Sequence, residues 1–162
     1  MSRDIPLTPL TRAAFAPFGD VIDRDAPSHP INGGMCDRHH ALATAEAGDG
    51  TVIMSIGHGR PYALPLALPM LERHPLGSQA WIPLHDRPFA VIVAPDENGR
   101  PGRPVAFLTT PHQGVNYRAH IWHAPVTPLD AEGDFLIVDR AGPGDNLEEH
   151  HFDAPWRVVT RS

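Results

Sequence analysis

The stretch "LERHPLGSQAWIPL" (residues 71–84) places three polar side chains, Glu72, His74 and Gln79, in a run that is otherwise largely apolar. Side chains alternate between the two faces of a β-strand, so Glu72 and His74 share a face. A tight turn at residues 75–78 would bring Gln79 back beside them. Because these residue types bind metal ions or transfer protons, the stretch predicts strands that carry a functional face.

Short apolar runs of the same kind recur along the chain, each bounded by Gly, Pro, Asp or Asn. The 19 prolines are more than twice the usual share of about 5%, which disfavours long helices. We therefore predict one mainly all-β domain over residues 1–162, a sandwich or small barrel with a few short helices. One helix is expected in "LTRAAFAPFG", with Thr11 as its N-cap. The strand candidates are residues 51–57, 66–74, 79–84, 89–95, 104–110, 120–126 and 134–140.

Composition excludes several classes of function. All 13 basic residues are Arg, so a Schiff-base lysine, a pyridoxal-phosphate anchor and a P-loop lysine are absent. A net charge of -6 disfavours nucleic acid as a partner. The single cysteine, Cys36, excludes an internal disulfide and CxxC zinc sites. No apolar run approaches the ~18 residues of a membrane span, and the first residues lack a signal-peptide core, which predicts a cytoplasmic protein.

Among the 11 histidines, His123 in "IWHAP" is the most informative besides His74. Both lie where an apolar core residue is expected, and a buried imidazole requires a hydrogen bond, a metal ion or a substrate. The paired histidines at residues 39–40 and 150–151 are better explained by loop or edge positions. The sequence therefore groups Glu72, His74, Gln79 and His123 as candidate catalytic residues.

Two features of the chain resemble cupins. The spacing Glu72-x-His74-x4-Gln79 is similar to the first cupin metal motif, His-x-His-x3-4-Glu, and "WHAP" around His123 is similar to the later motif that supplies the last histidine. The segments "FAPFGDVI", "INGG", "ERHPLGSQAWIPL", "GVNY", "WHAP" and "DFLIVDR", in this order, resemble the ureidoglycolate lyase family, also called ureidoglycolate hydrolase.

That resemblance implies a cupin-like β-barrel or jelly roll, usually a homodimer. The implied activity is the cleavage of (S)-ureidoglycolate into glyoxylate and urea in allantoin and purine breakdown. It also implies a divalent metal such as nickel, held by Glu72, His74, Gln79 and His123. Relative to other cupins, Glu72 replaces a histidine and Gln79 a glutamate, and a neutral amide is a weaker ligand.

Cleavage of ureidoglycolate needs one base and one acid, because the hydroxyl group of the substrate loses its proton while the departing nitrogen gains one. We assign the base to His74 or Glu72, the acid or a metal ligand to His123, and the orientation of the substrate to Gln79. Two alternatives stay open: another metal-dependent cupin enzyme, an oxygenase or isomerase, and a non-catalytic cupin that only binds a carboxylate.

The substrate carboxylate calls for an arginine, whose planar fork contacts two oxygens at once. Strand alternation turns Arg73 away from Glu72 and His74, which leaves Arg38 and Arg140 as candidates. Asn116 and Tyr117 in "GVNY" are candidates for hydrogen bonds to the urea moiety, although a turn-forming Asn and a core Tyr are equally consistent with the sequence.

Overall fold

The computed structural model describes residues 1–161 and consists mainly of β-strands. One short α-helix, α1, and one 3-10 turn at Asn32–Gly34 are the helical elements of this part of the chain. Thr11 caps α1 as predicted, since its side chain accepts a hydrogen bond from the Ala14 amide at 3.1 Å. The elements are β1 (Asp4–Pro9), α1 (Arg12–Phe15), β2 (Gly19–Ile22), β3 (His29–Ile31), β4 (Cys36–Arg38), β5 (Thr51–Gly59), β6 (Leu66–Arg73), β7 (Gln79–Pro83), β8 (Phe89–Ala94), β9 (Asp96–Glu97), β10 (Arg100–Pro101), β11 (Val105–Leu108), β12 (Gly114–Tyr117), β13 (Trp122–His123), β14 (Thr127–Pro128), β15 (Gly133–Ala141) and β16 (Glu148–Val159).

Six strands close a β-barrel in the order β11-β1-β16-β6-β13-β8, because β8 pairs in turn with β11. Apolar side chains from all six strands fill the barrel, among them Ile5, Leu71, Ile92, Trp122 and Val158. The barrel confirms the predicted all-β, cupin-like class. Its first and last strands, β1 and β16, were not expected from the sequence.

A second sheet of five strands, in the order β2-β12-β7-β15-β5, covers one outer side of the barrel. Phe135 and Val115 of this sheet share a core with Val91, Val93 and other side chains that point out of the barrel. Helix α1 adds Phe15 to the same core, fully buried. Adjacent residues of β8 therefore face two different cores, one in the barrel and one between the sheets.

Strands β6 and β7 do not form the expected hairpin. Strand β6 belongs to the barrel and β7 to the second sheet, so the turn between them crosses from one sheet to the other. Ser78 holds this crossing, because its amide donates to the Glu46 carbonyl at 3.0 Å and its hydroxyl accepts from the Glu46 amide at 2.7 Å. The polar residues of the opening stretch consequently lie on two sheets that face each other.

Within residues 1–161, the structure has no helix with the length and apolar character needed to cross a membrane.

Candidate active site

Glu72 and His123 are cross-strand neighbours on the outer face of the barrel. Strand β13 pairs antiparallel with β6, and the register sets His123 opposite Glu72. Leu71, the residue before Glu72, points into the barrel, so Glu72 points out toward the second sheet. On the other side of β13, His123 is opposite Val93 of β8, and Val93 belongs to the core between the sheets. A carboxylate and an imidazole therefore share the space between the two sheets.

His74 lies just beyond the end of β6 and joins this pair. Its backbone carbonyl accepts a hydrogen bond from the His120 amide at 3.0 Å. His74 Nε2 lies 3.9 Å from Glu72 Oε1, and His123 Nε2 lies 3.6 Å from the same oxygen. The two imidazole rings have their centroids 5.1 Å apart. One ligand atom from each residue lies within 4.8 Å of the others, and we call these three side chains the triad.

Hydrogen bonds fix the proton on both imidazoles of the triad. His74 Nδ1 lies 2.8 Å from the Asn146 carbonyl, and His123 Nδ1 lies 2.9 Å from the Ile121 carbonyl. A carbonyl oxygen only accepts, so each Nδ1 carries the hydrogen and, in the neutral ring, each Nε2 keeps its lone pair. Both Nε2 atoms are buried and have no hydrogen-bond partner among the described residues. Two Nε2 atoms without a hydrogen-bond partner thus converge on one carboxylate.

The electrostatics of the triad favour a charged carboxylate. Contact with the His123 imidazole lowers the pKa of Glu72, and His74 lowers it further by a smaller amount. Burial acts in the opposite direction, but the net pKa of Glu72 is lowered. The Tyr117 ring stacks on His123 with centroids 4.3 Å apart and planes 9° from parallel. Burial raises the pKa of Tyr117, and the charge of Glu72 raises it further, so Tyr117 is a neutral phenol.

The triad fits a divalent metal ion. Imidazole nitrogen and carboxylate oxygen are ligands that nickel, zinc and iron accept, and the triad offers two unpartnered Nε2 atoms and a carboxylate within 4.8 Å of one another. Each histidine already donates its other ring nitrogen to a backbone carbonyl, which is the usual arrangement around a bound metal. The side chains of His74 and Glu72 are 16% and 22% exposed, whereas both Nε2 atoms of the triad are buried.

Gln79 faces the same space between the sheets but is bonded elsewhere. It is opposite Tyr117 in the second sheet. Its Oε1 accepts from Trp81 Nε1 at 2.8 Å, and its Nε2 donates to Asp139 Oδ2 at 3.2 Å. Both ends of the amide are therefore engaged with protein groups outside the triad.

The structure does not bring the other expected residues to the triad. Asn116 alternates with Tyr117 and donates to Asp20 Oδ2 at 3.2 Å. The Arg140 side chain is 1% exposed and bonded to Asp49 and to the carbonyls of Ala47 and Pro143. Arg38 is exposed at the end of β4, on a small hairpin with β3. A substrate role for these three residues stays a prediction.

A surface cavity of about 530 Å³ lies apart from the triad and is lined by Asp23, His39 and His112 among other residues. Asp23 is neutralised there by Arg12 at 2.5 Å and bonded by Gln113 Nε2 at 3.0 Å. Volume therefore does not identify the reactive groups, whereas the convergence of unpartnered ring nitrogens does.

Two groups at the site could not be found from the sequence. The carbonyls of Ile121 and Asn146, which fix the imidazole protons, carry no residue-type signal because every residue has a carbonyl. "GPGDN" at residues 142–146 indicates only a turn.

Comparison with known proteins places the chain in a family. A family model described as ureidoglycolate lyase matches residues 2–159. The chain is 56% identical over 159 residues to the ureidoglycolate lyase of Chelativorans sp. (strain BNC1), with 96% of each chain covered. It is 55% identical over 157 residues to that of Mesorhizobium japonicum, covering 95% of this chain and 96% of the relative. With the Agrobacterium fabrum ureidoglycolate lyase it is 51% identical over 165 residues, covering 100% and 99%. The chain therefore belongs to the ureidoglycolate lyase family.

Proposed function

We propose that this protein cleaves (S)-ureidoglycolate into glyoxylate and urea, within allantoin and purine breakdown in the cytoplasm. Family membership supports the substrate. The observation that carries the chemistry is the convergence of two unpartnered imidazole Nε2 atoms on the Glu72 carboxylate.

The reaction breaks one C–N bond on a carbon that also carries a hydroxyl group. The hydroxyl loses its proton, its oxygen forms the carbonyl of glyoxylate, and the electrons of the C–N bond move to the ureido nitrogen. That nitrogen takes up a proton and leaves as urea. A positioned base and a positioned acid each contribute about 10²–10⁴-fold in rate.

Glu72 and His74 are the candidate bases, and His123 is the candidate acid. Glu72 has a lowered pKa and is ionised, and His74, whose Nδ1 bonds the Asn146 carbonyl, would accept a proton at Nε2. His123 Nε2, 3.6 Å from Glu72 Oε1, is placed to carry a proton on the side of that carboxylate. Tyr117 holds the His123 ring by stacking and limits its rotation.

A divalent ion, nickel in our proposal, would be held by His74 Nε2, His123 Nε2 and a Glu72 oxygen. When bound, it would act as a Lewis acid that polarises an oxygen of the substrate. Gln79 is proposed to orient the substrate, Asn116 and Tyr117 to contact the urea moiety, and Arg38 or Arg140 to bind the carboxylate. Arg38 is the better candidate, because its side chain has no ion pair within residues 1–161 and Arg140 is fully engaged.

The activity is tested by following glyoxylate and urea release from (S)-ureidoglycolate. Turnover that persists with a chelator supports acid–base catalysis by the side chains, and turnover restored by nickel after chelation supports the metal route. His74→Ala is expected to abolish turnover with an unchanged circular dichroism spectrum. His151→Ala, an exposed histidine outside the triad, is the matched control. Near-normal activity of His74→Ala would contradict the assignment.

One observation favours a second candidate, a metal-dependent oxygenase. Two histidines and one carboxylate form the ligand set typical of non-haem iron oxygenases. The same preparation loaded with Fe(II) distinguishes the two, since an oxygenase consumes oxygen. A non-catalytic cupin would instead bind ureidoglycolate in calorimetry without releasing products.

We further propose that residues 1–162 form one domain and that the protein is a homodimer. The support for dimerisation is an apolar outer face of the second sheet. Val52, Met54 and Ile56 of β5 are 45%, 74% and 61% exposed. Together with half-buried side chains of the neighbouring strands, they form one apolar surface on that face. The half-buried side chains are Leu136, Val138 and Ile82.

A second copy of the chain fits this face better than a charged partner does. Strand β5 is an edge strand of the second sheet, and "TVIMSIG" at residues 51–57 has no charge and no proline. Edge strands of monomers usually carry a charged residue or a proline, which prevents pairing with another strand. An uncharged strand can meet its own copy across a two-fold axis without repulsion between like charges.

The dimer is tested by sedimentation equilibrium. Wild type is expected at twice the chain mass of 17.7 kDa, and Met54→Glu at the chain mass. Val105→Glu, which alters an exposed apolar residue on barrel strand β11, should remain dimeric. A monomeric wild type, or a dimeric Met54→Glu, would overturn this assignment.

A further inference from the structure

The loop between β15 and β16, residues 142–147, reaches the triad through one residue. The Asn146 carbonyl accepts from His74 Nδ1 at 2.8 Å. The Asn146 side-chain Oδ1 accepts from the Leu76 amide, also at 2.8 Å. Asn146 is partly buried, whereas the other residues of this loop are exposed. One residue thus bonds both the imidazole and the turn that follows it.

The start of the same loop is anchored by Arg140. Its Nη2 donates to the Pro143 carbonyl at 2.8 Å and to Asp49 Oδ1 at 2.6 Å, and its Nε donates to the Ala47 carbonyl at 2.9 Å. The guanidinium is almost completely buried. These bonds hold the loop to the body of the second sheet, so Asn146 extends from a fixed base.

The bond to Asn146 decides which ring nitrogen of His74 faces the triad. Neutral histidine carries one hydrogen, on Nδ1 or on Nε2, and the partner of one nitrogen sets the tautomer. With the hydrogen on Nδ1, the lone pair of Nε2 points toward Glu72 and His123. Loss of this constraint admits the other tautomer, which puts a hydrogen where a lone pair is needed.

We propose that Asn146 is a positioning residue for His74: its side chain holds the turn after β6, and this keeps its carbonyl on His74 Nδ1. The loop thereby fixes the orientation of the His74 ring in the triad. The roles in turnover and in nickel binding rest on the proposed function, but the tautomer of His74 does not.

The first test measures the tautomer directly, in protein kept metal-free by a chelator. Long-range ¹H–¹⁵N correlation spectra distinguish a protonated from an unprotonated ring nitrogen. Wild type is expected to show His74 protonated at Nδ1, and Asn146→Ala a mixture of both tautomers. Asn146→Asp keeps an oxygen acceptor for the Leu76 amide and should restore the wild-type spectrum. Leu147→Ala, an exposed neighbour in the loop, is the matched control.

The second test measures nickel affinity by calorimetry. Outer partners of metal-binding histidines typically contribute 10–100-fold to affinity, so Asn146→Ala should bind nickel about 10-fold more weakly. Asn146→Asp and Leu147→Ala should bind as wild type does. An unchanged His74 tautomer in a folded Asn146→Ala protein would overturn the proposal. Failure of Asn146→Asp to restore it would do the same. Absence of ureidoglycolate turnover in wild type would instead overturn only the proposed function.

Discussion

At the scale of single residues, the triad depends on hydrogen bonds that leave one nitrogen of each histidine uncommitted. Burial of an imidazole nitrogen without a partner costs free energy, and His74 and His123 both bear that cost at Nε2. Gln79 shows the opposite state, because both ends of its amide are bonded to Trp81 and Asp139. The difference separates residues available to a metal ion or substrate from a residue that supports the wall of the site.

Gln79→Glu tests this distinction. The new carboxylate would lie near Asp139, so we expect the free energy of unfolding to fall by about 1–2 kcal/mol without tighter nickel binding. Denaturant unfolding and calorimetry measure the two quantities. Gln113→Glu, which also lies beside a carboxylate, that of Asp23, but has no bond to the triad, should lose stability with unchanged nickel affinity. Tighter metal binding by Gln79→Glu would identify position 79 as a fourth ligand.

At the scale of elements, an ion-pair cluster joins the ends of β5 and β15. His58 Nδ1 lies 2.7 Å from Asp134 Oδ1, and its Nε2 lies 2.7 Å from Glu132 Oε2. Hydrogen bonds to Asp134 and then Glu132 raise the pKa of His58 above its ordinary value. Charged His58 therefore stabilises the pairing of the long edge strand with its neighbour.

The pH dependence of this cluster follows from the raised pKa. Below the unfolded value of about 6.5 His58 is charged in both states, so its contribution is fully present, and it is lost as pH rises through the higher folded value. We expect His58→Gln to lower the melting temperature at pH 5.5 and to have little effect at pH 9. His40→Gln, another exposed histidine, is the control. An equal loss at both pH values would contradict this account.

At the scale of the whole molecule, two apolar cores share strand β8. Ile92 points into the barrel and Val93 points into the core between the sheets, where it is opposite His123. Both are essentially inaccessible to solvent. The triad therefore depends on the packing between the sheets more directly than on the interior of the barrel.

Two substitutions on β8 distinguish the contributions of the two cores to stability and to nickel binding. Ile92→Ala should cost about 2–5 kcal/mol of stability and Val93→Ala about 2 kcal/mol. Only Val93→Ala should also weaken nickel binding, because it leaves a cavity beside His123. Thermal unfolding and calorimetry provide both readouts. If Ile92→Ala weakened nickel binding as strongly, the assignment of the triad to the inter-sheet core would be wrong.

Patterns in the sequence predicted the β class, the capped helix at Thr11 and the group of Glu72, His74, Gln79 and His123, of which Gln79 is bonded outside the triad. Each follows from local rules: proline content, alternation along a strand, and the cost of a polar residue in an apolar run. Four strands of the barrel and the second sheet were missed, namely β1, β2, β12 and β16. Strand β16 is largely exposed and carries "EEHH" in place of an apolar alternation.

Three features became evident in the folded structure alone: the turn at residues 75–78 crosses between sheets, Gln79 is bonded to Asp139, and Arg140 anchors a loop. The folded structure also shows which ring nitrogens face the site, through carbonyls at Ile121 and Asn146. The physical reason is the same in each case. Hydrogen bonds between residues distant in the chain use groups that every residue carries, so their partners are fixed by the packing of the sheets and not by residue type.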